Sequence, residues 1–334
     1  MYKRQSGDYA IRFELIQTKD AALTKAGHKL GFEQLGKDCA ALPVVTVPME
    51  DLSVTEDDSS IVVRGAHFQY VYSKHTGAFS HMVYQNNNLL EQPMEYNIWR
   101  APTDNDRVIR MEWEQCGYDR ASSRCYQTLV ENHGNEVTIR SHIGLVAVFI
   151  QRLADIDAIW KIDAAGQVNI SMEVKRCPVT PFLPRFGLRL FLPDDMEQVM
   201  YFGYGPYESY VDKHRASWLG RFSSSVRALH EDYIKPQENG SHWGCQLLEL
   251  HNSRVGLRAW QPDGFSFNAS HYTQEELVQK KHNFELEECG HVVLCLDAAQ
   301  SGMGSNSCGP ELLEQYRVKE TVALCLCLMP YLPE

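Results

Sequence analysis

Apolar and polar residues alternate at every second position in runs along the chain, and this pattern restricts the fold more than any other feature. It is seen in Ile11, Phe13 and Leu15, in Phe68, Tyr70 and Tyr72, in Val137 and Ile139, in Val168, Ile170, Met172 and Val174, and in Phe186, Leu188, Leu190 and Leu192. Successive side chains of a strand point to opposite faces, so each run predicts a strand with one buried face. Turn signals such as Thr76-Gly77 and Ala165-Gly166 separate the runs, which favours an antiparallel meander over βαβ units. The predicted class is all-β, with two packed sheets. Two short stretches read as helices instead. From Asp106 to Gly117, Val108, Met111 and Gln115 fall at helical spacing before a glycine suited to a left-handed cap, and Thr273 to Glu276 forms a capping-box pattern.

Pro43, Pro48 and the acidic residues Glu50, Asp51, Glu56, Asp57 and Asp58 interrupt the strand pattern. They predict a boundary that divides residues 1–47 from residues 48–334. The first segment is too short to fold alone. Its strand, with Tyr9, Ile11, Phe13 and Leu15 alternating against Ala10, Arg12, Glu14 and Ile16, has an apolar face and few partners to cover it. The second segment is long enough for a large sandwich with a sizeable core.

A formal net charge of −11 repels phosphate backbones and anionic lipid, and so argues against nucleic acid or membrane as the main partner. No uncharged apolar run reaches the roughly 18 residues that a membrane span requires. The ten cysteines follow no regular framework and read as reduced structural thiols, with Cys325 and Cys327 on one strand face. Met1 to Gln5 has neither the apolar stretch nor the cleavage site of a secretory signal, and the expected location is cytoplasmic.

The least ordinary run is Asn97-Ile-Trp-Arg-Ala-Pro-Thr-Asp-Asn-Asp106. Trp99 offers a flat apolar face, Arg100 five donors, and Asp104, Asn105 and Asp106 a cluster of acceptors, a combination suited to sugar hydroxyls. The same residue types also suit a helix cap and turn. Gly205-Pro206 with Glu208, Tyr210 and Asp212 reads either as the lining of a groove or as a tight turn. His242 and Cys245 form an isolated pair and not a zinc set, and Ser301 to Cys308 has no phosphate-loop lysine.

The Asn97–Asp106 run resembles the tryptophan-arginine-alanine-proline and aspartate-asparagine-aspartate signature of the small-chain domain of β-galactosidases in glycoside hydrolase family two. Further stretches match in the same order: Gly205 to Asp212, Pro236 to Gly240, Phe265 to Ser270 with Tyr272, and Gly302 to Ser307. The resemblance covers roughly residues 55 to 332. Residues 20 to 35 also resemble the end of the sandwich domain that precedes the small chain. It implies a galactose-mutarotase-like antiparallel supersandwich, preceded by a partial immunoglobulin-like sandwich and working beside a catalytic TIM barrel that carries both catalytic glutamates. No barrel is legible here, so no catalytic residue is assigned. The resemblance further implies a substrate-closing loop at Arg107, Val108, Ile109 and Arg110, although the family's hinge glycine is missing. Either Trp260 or Trp243 would stack on the sugar, Trp260 lying one residue out of register and a core tryptophan being the alternative for both. No cofactor is implied for this chain itself. Magnesium and sodium are implied on the barrel side of the complete enzyme, which is expected to act on terminal β-galactosides and to form homo-oligomers.

Three functions follow. The first is the small part of a β-galactosidase, working with a barrel-bearing portion. The second is a free-standing aldose epimerase, which needs a general acid and base such as Glu208 and His242. The third is a carbohydrate-binding module. Fold alone does not separate them, but the ordered motifs favour the first.

Overall fold

The computed structural model describes residues 11–36 and 50–333. The chain divides into two compact units, Met1–Ala41 and Leu42–Glu334. In the first unit, strands Ile11–Ile16 and Lys29–Leu35 pair antiparallel, with Ile11 opposite Leu35 and Phe13 opposite Glu33. Ile11, Phe13, Leu15 and Leu35 are exposed. Two strands bury little, and the alternation here marks a face with no cover among the described residues. Tyr9 and Ala10 of the expected strand, and the expected boundary at residues 47 and 48, lie outside the described residues.

The second unit holds two sheets. The smaller is a five-stranded meander, Ser53–Glu56, Ser60–Arg64, Phe68–Ser73, Ala78–Tyr84 and Asn87–Asn88. The larger has twelve strands, and every pairing in it is antiparallel. The all-β antiparallel sandwich is the architecture that the alternation predicts. The sheets meet through aromatic side chains. The Trp160 ring lies edge-on to Phe79 and Tyr72 at 5.2 and 6.0 Å, while the Tyr70 and Tyr72 hydroxyls donate to the Gly166 carbonyl at 2.7 Å and to Ser141 Oγ at 2.8 Å. Burying phenol rings is favourable once each hydroxyl finds an acceptor. Gly166, at φ 82, belongs to a turn where a Cβ would meet Phe68 and Tyr70 at 3.0 Å.

The long strand Gly256–Ser270 is where the large sheet forks. Its first half pairs with Thr321–Tyr331 and its second half with His291–Gln300. The register shifts against His242–His251 between these halves, and Gly264, at φ 90, takes up the irregularity. His291–Gln300 in turn pairs with Arg185–Pro193, whose Phe186, Leu188, Leu190 and Leu192 are all fully buried.

Both predicted helices form. Gln274–Gln279 starts at Thr273, whose hydroxyl accepts from the Glu276 amide at 3.1 Å. A short 3-10 turn, Asp104–Asp106, precedes helix Ile109–Gln115, and Gly117 closes the segment at φ 77. The buried face of that helix differs from the expected one. Val108 and Met111 are exposed, and Trp113 is buried because its ring sits edge-on between Trp99 and Phe182, with Nε1 donating to the Phe182 carbonyl at 2.8 Å. The described cysteines are free thiols; Cys327 is buried, but Cys325 is exposed on the uncovered part of its strand.

Replacing Trp160 by alanine removes the centre of the inter-sheet contact and should cost about 3–5 kcal/mol, read as a shifted denaturant midpoint. A chain beginning at residue 48 should keep its cooperative melt, because the core cluster of the second unit runs from Leu52 to Leu328. Loss of that transition on trimming would show that the first 47 residues are integral to the sandwich.

Candidate functional site

The Arg100 side chain is fully buried, so its charge requires a compensating partner. Asp106 supplies it in a two-pronged pair: Arg100 Nε donates to Oδ2 at 3.1 Å and Nη2 to Oδ1 at 2.6 Å. Nη1 and Nη2 also donate to the Ser301 and Gly302 carbonyls at 2.5 and 3.0 Å. Asp106 Oδ2 also accepts from the Thr103 amide and hydroxyl. Thr103 is therefore the cap of the turn, and Asp106, its partner in a capping box, is also the anchor of the arginine.

The neighbouring residues extend this lock. Asn105 Nδ2 donates to the Gly304 carbonyl at 2.9 Å and its Oδ1 accepts from the Ser307 amide at 3.2 Å. Asp212 accepts from the Met303 and Gly304 amides at 2.9 and 2.8 Å. Gly302 has to be a glycine, since a Cβ would lie 2.5 Å from the Asp212 carboxylate. The Asp104 amide donates to Gln237 Oε1 at 3.1 Å, and the Glu238 amide to the Ala101 carbonyl at 2.9 Å.

The result is a polar cleft of about 540 Å3. Its walls are Asp104 and Asn105 from the first motif, Glu208 and Asp212 from the second, Gln237 and Glu238 from the third, and Met303, Gly304 and Ser307 from the fifth. Four segments recognised separately in the sequence thus form one surface. The fourth segment supports it, with Phe265 and Phe267 buried and Asn268 donating to the Asn239 carbonyl.

Glu208 sits in the wall with every oxygen engaged. Oε1 accepts from Lys213 Nζ and from the Tyr233 hydroxyl at 2.6 Å, and Oε2 from the Gly240 amide at 3.0 Å and the Tyr210 hydroxyl at 3.2 Å. Burial pushes its pKa up, but the hydrogen bonds from Lys213, Tyr233 and Gly240 together with the Lys213 charge outweigh that, and the carboxyl stays below the usual glutamate range. Glu238 lies deeper, where fully buried Arg185 donates to it at 2.8 Å and grips Asp297 at 3.0 and 2.5 Å. Lys213, Tyr233 and the Arg185–Asp297–Glu238 cluster were not singled out from the sequence. A charged residue at the end of an apolar strand, as at Arg185 and Asp297, was the available signal.

Trp99 and Arg100, expected to meet sugar hydroxyls, and His242, a candidate for the same groove as Glu208, are core residues instead. Trp99 is buried against Trp113, Arg100 is the buried clamp, and His242 is buried against Phe267 and Tyr201. Burial pulls the His242 pKa down to about 4, so the ring is neutral around pH 7. Its Nδ1 lies 3.2 Å from the Tyr204 carbonyl. Arg107 and Arg110 are exposed, and Arg110 pairs with Glu114 at 2.6 Å. Trp243 stacks on His214 at 4.6 Å. Trp260 lies opposite Cys327 and Leu247 in the large sheet, with its indole nitrogen buried and unbonded. Neither tryptophan lines the cleft. Among the described residues no three His, Cys, Asp or Glu side chains are grouped to hold a metal ion, and none of the helices is long and apolar enough to cross a membrane.

Residues 64–328 match the family model described as β-galactosidase small chain. The chain is similar to a β-galactosidase of Actinobacillus pleuropneumoniae, 43% identical over 90% of this chain and 30% of the relative. It is also similar to one of Staphylococcus xylosus, 36% identical over 80% of this chain and 27% of the relative. It therefore spans about 30% of the length of the curated relatives it matches. A solved galactose 1-epimerase of Lactobacillus acidophilus superposes with a TM-score of 0.44 at 7% identity, covering 84% of this chain and 98% of its own, too loose a likeness to bear on function.

Asp106→Ala would leave the Arg100 charge buried and unpaired, and should cost about 3–5 kcal/mol in denaturant unfolding. Glu208→Gln should destabilise in a pH-dependent way. Folding lowers the Glu208 pKa, so the native state binds fewer protons than the unfolded chain. Its contribution is full above the unfolded value of 4.5 and is lost as pH falls through the folded one. Melts of parent and variant should differ at pH 7 and converge only as pH falls through the lowered folded-state value; a gap independent of pH would contradict this.

Proposed function

Because the chain belongs to the β-galactosidase small-chain family, we propose that it shapes and closes the sugar site of a β-galactosidase whose catalytic barrel lies outside this chain. The complete enzyme would hydrolyse terminal β-D-galactosides. The supporting observation is the convergence of four ordered motifs on one polar cleft whose inner carboxylates are consumed by internal partners. A retaining glycosidase places two carboxyl groups about 5–5.5 Å apart, one of them with a raised pKa so that it can protonate the leaving oxygen. Glu208 is instead held low, Asp212 is held by two loop amides, and Glu238 is bound to Arg185. Asp104, exposed at the rim, leaves one carboxylate for a reaction that needs two.

The free-standing epimerase fares worse on the same geometry. Its candidate acid and base, His242 and Glu208, are a buried neutral ring packed between aromatics and a carboxylate with four donors on it. Neither can exchange a proton with a sugar without breaking that packing. In the proposed enzyme Asp104 and Asn105, followed by exposed Arg107 and Arg110, form the part of this chain that faces the barrel and closes over substrate.

The isolated chain should show no hydrolysis of a chromogenic galactoside, and mixing it with the barrel-bearing portion should restore turnover. Enzyme-like rates from the chain alone, free of host enzyme, would overturn the proposal. In the complete enzyme, Asp104→Ala should lower kcat/KM roughly 10- to 100-fold with an unchanged melting temperature. A lowered melting temperature with normal turnover would assign Asp104 to the turn alone.

A further inference from the structure

Lys213 and Tyr233 are a donor and an acceptor on the cleft wall that both keep hydrogen-bonding capacity to spare. The Lys213 side chain is 52% exposed, whereas its partner Glu208 is 8% exposed. The lysine has three donors, and Glu208 takes one of them. Tyr233 spends its proton on Glu208, which leaves the phenol oxygen as an acceptor. The ammonium and that oxygen are 3.5 Å apart, well beyond the usual 2.9–3.0 Å of a nitrogen–oxygen hydrogen bond. A donor and an acceptor are thus held side by side, loosely coupled to each other, on the wall of the cleft.

A hydroxyl group complements such a pair, since one oxygen can accept from the ammonium while its proton goes to the phenol oxygen. An anion is a poor match, because Asp104, Glu208, Asp212 and Glu238 line the same cleft and repel it. A cation would face Lys213. From this placement we infer that Lys213 and Tyr233 bind a hydroxyl of a neutral sugar in the cleft, with Glu208 as the positioning residue that fixes both. The inference rests on the proposed sugar site and adds to it the side chains that recognise the ligand. Glu208 can fulfil this role because it is itself fixed from two further sides, by the Gly240 amide and the Tyr210 hydroxyl. Lys213 is fixed by the backbone as well, through reciprocal bonds between its amide and carbonyl and those of Tyr210.

The test uses the complete enzyme and two readouts. Calorimetric titration with galactose and with glucose measures binding independently of turnover, and galactoside hydrolysis is followed separately. Lys213→Met and Tyr233→Phe should each weaken binding of at least one of the two sugars about tenfold and raise KM, with kcat within about twofold of the parent; each also removes a hydrogen bond to Glu208 and lowers the melt, so titrations are run well below the melting transition. Lys213→Arg, which keeps a cationic donor, should recover most of the affinity. Unchanged affinity for both sugars in both variants would overturn the inference, as would a failure of Lys213→Arg to bind more tightly than Lys213→Met. A parent enzyme that binds these sugars through Lys213 and Tyr233 but hydrolyses no galactoside would sustain the inference and overturn the proposed function. Normal hydrolysis with indifferent variants would do the reverse.

Discussion

The buried pair between Arg100 and Asp106 is the interaction on which the rest of the cleft depends. A guanidinium without solvent is tolerable only when nearly all its donors are satisfied, and here the partners come from two places. Asp106 is six residues away, and the Ser301 and Gly302 carbonyls are 201 and 202 residues away. Satisfying one side chain thus draws the turn at 104–106 against the loop at 301–304. Asn105 and Asp212 then fix that loop through its own amides and carbonyls. Polar networks of this kind cost heavily when one member is lost, which favours a single arrangement over several similar ones.

A second buried arginine works in the same way at the base of the cleft. Arg185 divides its donors between Asp297, on the neighbouring strand, and Glu238, in the loop that carries Gln237. Burial pushes the Asp297 carboxyl up to about 6 even beside the guanidinium, a measure of how dry this position is. Sheet and loop are joined there by charge and not by apolar contact. The two arginines therefore tie separate parts of the cleft's lining together, and Glu208, held by four donors of its own, is fixed before any ligand arrives. Preorganisation of this sort suits a surface that orients a sugar while the bond-breaking groups come from elsewhere.

Much of the fold could be read from the sequence because period-two alternation follows directly from strand geometry, and Phe68, Tyr70 and Tyr72 or Val168 through Val174 are buried as that period requires. Ile11, Phe13 and Leu15 show its limit, since alternation marks an apolar face but does not supply the layer that covers it. The helix at 109–115 shows another. Its buried residue is set by where Trp99 and Phe182 lie, not by the spacing of Val108 and Met111. The segments that make the cleft were legible as motifs, yet their side-chain roles were not. Arg100 looked like a ligand donor, and only the distant carbonyls of Ser301 and Gly302 turn it inward. Lys213 and Tyr233 gain meaning from Glu208 between them, 5 and 25 residues away along the chain, a proximity no local pattern encodes.

The central claim, that this chain contributes a wall of the galactoside site without the acid/base pair, is tested most directly by the structure of the complete enzyme with a non-hydrolysable galactoside bound. The ligand should lie against the cleft bordered by Asp104 and Lys213, with the two carboxyl groups flanking its glycosidic oxygen contributed by residues outside this chain. A ligand remote from the cleft, or one whose glycosidic oxygen sits between two carboxyl groups of residues 50–333, would contradict it.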